Sequence, residues 1–266
     1  MSNIRLPAVA GLFYPDDTRT LRDMVQDYLG SADAEGALPK AIIAPHAGYI
    51  YSGPVAASVY ARLASGRERV RRVVVLGPSH RVPFYGLAMS SADAFRTPLG
   101  DIPLDHEAMQ SIADLPQVKQ LDAAHVQEHS LEVQLPFLQL MLDQFSLIPL
   151  VVGDATAKEV GEVLSRLWGG EETLIVISSD LSHYHDYLTA QKMDKATSEA
   201  IVAIHPDEIG YEDACGRIPV KGLLHQVRLQ GLDGELVDLR NSGDTAGSRD
   251  QVVGYGAYAF SRRAVA

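Results

Sequence analysis

The sequence predicts an α/β fold: a single domain over residues 1–266, with a central mixed, mostly parallel sheet flanked by helices. Three observations carry that prediction. Short apolar runs rich in β-branched residues recur at Lys40–Ala44, Arg71–Leu76, Ser146–Val152 and Thr173–Ile177, and continuous runs of this length read as strands buried on both faces. Segments of helical periodicity separate them, as the long crossovers between parallel strands require. Two late strand-like runs, near Glu235–Leu239 and Val252–Phe260, follow one another and make the sheet mixed.

Taken in order, the first helix is expected over Thr18–Tyr28, capped by Asp16 or Asp17, whose carboxylate can accept a free N–H of the first turn. Gly30–Leu38 reads as an exposed loop. The strand Lys40–Ala44 breaks at Pro45-His46-Ala47-Gly48, and Gly53-Pro54 then opens an Ala-rich helix to about Leu63, since proline suits a first helical turn. Arg71–Leu76 breaks in the same way into Gly77-Pro78-Ser79-His80. Helices are expected at Asp105–Ala113 and Leu131–Leu142, then the strand Ser146–Val152 and the helix Ala157–Trp168. Thr173–Ile177 repeats the design, breaking into Ser178-Ser179-Asp180-Leu181-Ser182-His183. A helix over Leu188–Ile204, the stretch Asp213-Ala214-Cys215-Gly216-Arg217 and a helix over Val220–Leu229 complete the order.

Composition narrows the function. With 46% hydrophobic and 21% charged residues the chain has an ordinary globular balance, and no apolar run approaches the roughly 20 residues that cross a bilayer. No basic segment followed by a sustained apolar stretch opens the sequence, so a cytoplasmic location is expected. The net charge of −11, with no Lys/Arg-rich stripe, argues against nucleic acid as a partner. A lone cysteine, Cys215, has no internal disulfide partner; it is a small buried hydrophobe, a reactive thiol or a ligand.

In open α/β sheets ligands sit beyond the carboxyl ends of the strands. His46, His80 and His183 each follow a strand-like run within a few residues. If those strands are neighbours, the three imidazoles meet in one crevice and form a shared metal or catalytic site. A second cluster, His125-Val126-Gln127-Glu128-His129, matches the H-x-x-E-H pattern of inverted zinc peptidases. That chemistry needs both histidines on one helical face, whereas the helix here is expected to begin only after Ser130. The alternative places Glu128 and His129 at a helix N-terminus, where a carboxylate complements the dipole.

Longer stretches carry a resemblance. Arg5-Leu6-Pro7-Ala8-Val9-Ala10-Gly11-Leu12-Phe13-Tyr14-Pro15 and Ala44-Pro45-His46-Ala47-Gly48-Tyr49-Ile50-Tyr51-Ser52-Gly53 resemble the opening of the Memo (mediator of cell motility) family, whose prokaryotic members are called AmmeMemoRadiSam system protein B. Gly77-Pro78-Ser79-His80, Glu128-His129-Ser130-Leu131-Glu132, Ser178-Ser179-Asp180-Leu181-Ser182-His183, Cys215-Gly216-Arg217 and Val253-Gly254-Tyr255 follow in the family's order. The match spans almost the whole chain.

The resemblance implies a fold similar to the catalytic subunits of class III extradiol dioxygenases, and one bound transition-metal ion, iron or copper in preference to zinc. His46, His80 and Cys215 correspond to its ligands. Asp180 and His183 would line the same pocket and serve catalysis, with Tyr51, Phe13 and His129 contacting substrate. A cysteine where the dioxygenases carry a carboxylate softens the donor set. Glu128 or Glu132 would then orient an imidazole from behind. The implied function is a metal-dependent oxidoreductase acting on an unknown small molecule. The alternatives are a non-enzymatic metal-binding or protein-interaction module working with a radical S-adenosylmethionine protein and a third small component, and a zinc hydrolase.

Overall fold

The computed structural model describes residues 3–262. In chain order its elements are β1 (Ile4–Arg5), α1 (Thr18–Gly30), β2 (Ala41–Ala44), α2 (Tyr49–Tyr60), β3 (Arg72–Pro78), β4 (Leu87–Met89), β5 (Ala94–Thr97), β6 (Gly100–Pro103), α3 (His106–Gln110), β7 (Val118–Gln120) and α4 (Ala123–Val126). They continue with α5 (Leu135–Met141), β8 (Ser146–Val152), α6 (Ala157–Leu167), β9 (Thr173–Ser178), β10 (His183–His185), α7 (Tyr187–Val202), α8 (Arg217–Gln230), β11 (Leu232–Asn241) and β12 (Val252–Arg262).

The main sheet runs β10-β12-β2-β9-β3-β8-β4-β7, and β11 also pairs with β12, off this path. Its centre, β2-β9-β3-β8, is parallel throughout. The later strands make it mixed, because β11 pairs antiparallel with β12 and β12 antiparallel with β2. The central strands are the β-branched runs of the sequence, and Val73–Leu76 and Leu174–Ile177 are almost wholly removed from solvent. Burial on both faces explains why these strands show no polar alternation. A small second sheet, β1-β5-β6, lies apart from it.

Helices cover the sheet in groups. α1, α2 and α5 pack together with α2 on β2 and β12; α6 packs on α8, which lies on β3 and β9. The caps behave as the sequence suggests: Asp17 accepts the N–H of Thr20 at the start of α1, and Thr156 with Glu159 forms a reciprocal capping box on α6.

The structure departs from the sequence reading in several places. α2 starts at Tyr49, placing Pro54 in its interior, where the helix tolerates the missing donor. The expected helix Leu131–Leu142 is a 3-10 turn over Glu132–Gln134 followed by α5, with Pro136 at the entry. β4, β5, β6 and β7 fall in a region read as helix and loop. Strand β10 occupies the expected loop at His183, pairing with Val252 and Val253 of β12. Among the described residues no helix is long and apolar enough to cross a membrane.

Candidate metal centre

β9 lies between β2 and β3, so the three strand-end segments emerge side by side. β2 runs into His46, β3 into His80, and β9 into Ser179, Asp180 and His183. The loop before α8 closes over this edge and is pinned there by three contacts. The Asp180 N–H donates to Cys215 Sγ at 3.3 Å, the Cys215 N–H to the Asp180 carbonyl at 3.3 Å, and the Gly216 N–H to Ser179 Oγ at 3.0 Å. A Cβ on Gly216 would stand 2.6 Å from that of Ser179, so only glycine lets the loop approach so closely. The result brings Cys215 Sγ to 3.3 Å from His46 Nε2.

The orientation of His46 follows from counting protons. Ser178 Oγ donates to the Ser130 carbonyl at 2.5 Å and so spends its only hydrogen. The two groups that approach it must therefore donate: Gln134 Nε2 at 2.8 Å and His46 Nδ1 at 2.9 Å. The Gln134 amide is itself fixed, since its nitrogen donates to the Pro45 carbonyl at 2.9 Å while its oxygen accepts from Tyr60 Oη at 2.9 Å. His46 consequently carries its proton on Nδ1 and turns the lone pair of Nε2 toward Cys215.

His80 is held by the same logic with a stronger acceptor. Its Nδ1 lies 2.8 Å from Glu128 Oε1, and its backbone N–H donates to Oε2 at 2.6 Å. Glu128 also accepts the N–H groups of His129 and Ser130. Although burial opposes ionisation, these donors hold its pKa down to about 2. An ionised carboxylate on Nδ1 leaves the His80 lone pair on Nε2.

One nitrogen each of His46 and His80 and the sulfur of Cys215 lie within 4.8 Å of one another. Two imidazoles anchored through Nδ1 and one thiol form a donor set that fits a transition-metal ion. His80, Glu128 and His129 form a second group of donors within the same limit, sharing His80 with the first.

Around these donors, His129 stacks on His80 with ring centroids 4.6 Å apart and packs edge-on to His46 at 5.5 Å. Phe13 lies against His129 at 4.8 Å. Burial pushes the pKa of His129 down to about 4 and that of His46 well below its ordinary value, so both rings are neutral at pH 7. Asp180 is buried, which raises its carboxyl to about 7 against the bond it accepts from the His46 backbone N–H at 2.7 Å. His183 is half-buried and close enough to interact with His46 and His80; burial lowers its pKa, opposed by a bond to the Leu181 carbonyl. Tyr51 sits in α2 beside Gly48 and interacts electrostatically with Tyr255.

A family model described as Memo-like protein matches residues 5–259. The chain belongs to this Memo-like family. A MEMO1 family protein of Aquifex aeolicus (strain VF5) is 40% identical, the match covering 95% of this chain and 97% of that protein. Another from Methanopyrus kandleri is 38% identical over 97% of this chain and 99% of its own. In structure, the chain resembles the uncharacterized protein JW3007 from Escherichia coli K12, with a TM-score of 0.51 at 14% identity, covering 81% of this chain and 98% of that one; this is a likeness of fold.

For a Memo-like chain, the peptidase-like pattern takes a different shape. His125 belongs to α4, a single short turn, and its Nε2 donates to the Ala88 carbonyl at 3.0 Å, away from the donor groups. The two histidines of the pattern therefore do not pair on one helical face. Glu132 does not support an imidazole either. It is buried against Arg5 and accepts Tyr14 Oη and the N–H groups of Ala8 and Val9. That tie holds the N-terminal segment in place, and with it Phe13. The Ser178–Gln134–Tyr60 chain had no signal in the sequence, because a serine and a glutamine at those positions read as ordinary strand-end and helix residues.

Proposed function

We propose that this protein holds one transition-metal ion, iron or copper, on His46 Nε2, His80 Nε2 and Cys215 Sγ, and that it is an oxidoreductase for a small molecule. The observation that carries this reading is the convergence of two lone pairs, each fixed by a bond at the opposite ring nitrogen, on a single thiol. When bound there, the ion supplies redox and Lewis-acid chemistry. A thiolate beside two imidazoles suits copper and iron.

The chain's own residues supply the rest. Asp180, beside His46 and Cys215, and His183, with one ring nitrogen free of the Leu181 carbonyl, take up and return protons from the bound molecule. Phe13, His129 and Tyr51 border the donors, where the reacting end of that molecule rests.

The deciding experiment is elemental analysis of protein purified without oxygen or chelator, comparing wild type with Cys215→Ser and His80→Ala. Near-stoichiometric iron or copper, lost in both variants, is expected. Metal-free wild type, or full metal in both variants, overturns the reading. Zinc on the same three donors would replace redox chemistry with an activated water.

A further inference from the structure

A groove of about 550 Å³ opens between the end of β3 and the start of α8. Cys215 lines it, as does Ser79, the residue before His80. Phe84 and Ile218 give it apolar walls, and Arg217 is the cation in its lining.

Arg217 differs from the groove's other lining residues in carrying a positive charge that no carboxylate pairs. The chain carries 34 acidic and 23 basic residues, yet among the described residues Arg217 makes no ion pair. Instead its guanidinium lies over the ring of Tyr211, 4.1 Å from the centroid. Stacking of this kind orders the planar fork while leaving its N–H donors free, and that fork matches a carboxylate in two-point geometry. Arg217 is the second residue after Cys215, so the two Cα atoms are separated by at most about 7 Å. Arg217 and Cys215 both line the groove, so an anion held on Arg217 shares that groove with the thiol. α8 starts at Arg217 with a glycine N-cap that offers no side-chain acceptor, which adds to the preference for negative charge. Asp154 also lines the groove and is exposed; its charge disfavours a phosphate dianion more than a monoanion.

We infer that the groove takes a small monocarboxylate with an apolar or aromatic body, its carboxylate on Arg217 and its far end toward the metal centre. The inference names a substrate class for the proposed oxidoreductase and so rests on that reading.

The test uses the full-length protein as purified, with its metal content measured in every sample. Binding of 4-fluorobenzoate is followed by fluorine NMR titration, with 4-fluorobenzyl alcohol and 4-fluorophenyl phosphate as comparisons, in wild type, Arg217→Gln and Arg217→Lys. Saturable binding of the benzoate, stronger than that of the alcohol or the phosphate, is expected. Arg217→Gln should weaken it at least tenfold, Arg217→Lys should restore part of the loss, and all three proteins should hold the same metal. No saturable benzoate binding, equal binding of benzoate and alcohol, or an unchanged affinity in Arg217→Gln overturns the inference. Since benzoate binding and metal content are read separately, a metal-free protein that still binds benzoate through Arg217 sinks the oxidoreductase reading alone, and a metal-loaded one that does not sinks the substrate class alone.

Discussion

At the scale of single residues, the proposed centre depends on groups outside its three donors. Ser178 and Glu128 each occupy the Nδ1 side of an imidazole, and losing either frees the ring to turn or to shift its proton. Replacing such a supporting group typically costs about 10–100-fold in metal affinity. Ser178→Ala and Glu128→Gln should each weaken metal by that order in a competition titration with a chelator of known affinity. His125→Gln provides the contrast: it should leave metal affinity unchanged, because His125 spends its Nε2 proton on the Ala88 carbonyl. Unchanged affinity in the first two variants would remove the support argument. Arg5 and Glu132 act on stability instead. They form a buried pair, and removal of one partner strands the other charge away from water. Arg5→Ala should cost about 3–5 kcal/mol in urea unfolding; a loss under 1 kcal/mol would show that water reaches Glu132 freely.

Between residue and molecule, the strand ends do the positioning, and they are also where the sequence was most readable. β2, β3 and β9 announce themselves as apolar runs that stop at polar, glycine- or proline-containing loops, and parallel topology then puts His46, His80 and His183 at one edge. The order β2-β9-β3, which makes them neighbours, has no local signature, because adjacency is decided by pairing across the sheet. β4 to β7 were illegible for a related reason. Each has three or four residues, too few for a pattern, and exists through its partner. Position Gly77 shows how tightly the elements interlock. A Cβ there would lie 2.7 Å from Ser130 Oγ and 3.0 Å from Leu131 Cδ2, so Gly77→Ala must push the turn that carries Glu128 away from β3. Overpacking of this kind costs about 1–3 kcal/mol, and metal affinity should fall with it; a variant that melts like wild type and binds metal equally would contradict the close packing. α7 contributes a pH dependence. Asp194 is buried and accepts the Ser182 N–H at 3.0 Å, with its carboxyl raised to about 6 from 3.8. Between those values the folded chain binds more protons than the unfolded one, so this group's contribution is complete below about pH 4 and is lost as pH rises through 6. Asp194→Asn should flatten the stability profile between about pH 4 and 6, measured by denaturant midpoints; an unaltered slope would show that other groups set it.

For the whole molecule, the proposed donors come from three separate places in the chain: the end of β2, the end of β3 and the loop before α8. The unfolded chain cannot hold His46, His80 and Cys215 together without closing loops of more than thirty and more than a hundred residues, so a site made of all three donors exists only in the folded chain. Any ion bound on all three therefore stabilises the fold by mass action. At a free concentration 100 times the dissociation constant, the gain is about 2.7 kcal/mol. For a chain of this size each kcal/mol shifts the melting temperature by roughly 2–4 °C, which predicts a rise of roughly 5–10 °C when metal-free protein is supplied with iron(II) or copper(I). Cys215→Ser should melt at one temperature with or without the ion, because the third donor is gone. A wild-type shift that persists undiminished in Cys215→Ser would place the binding elsewhere, on the neighbouring His80, Glu128 and His129 donors, and would separate the metal position from the thiol that closes the loop over it.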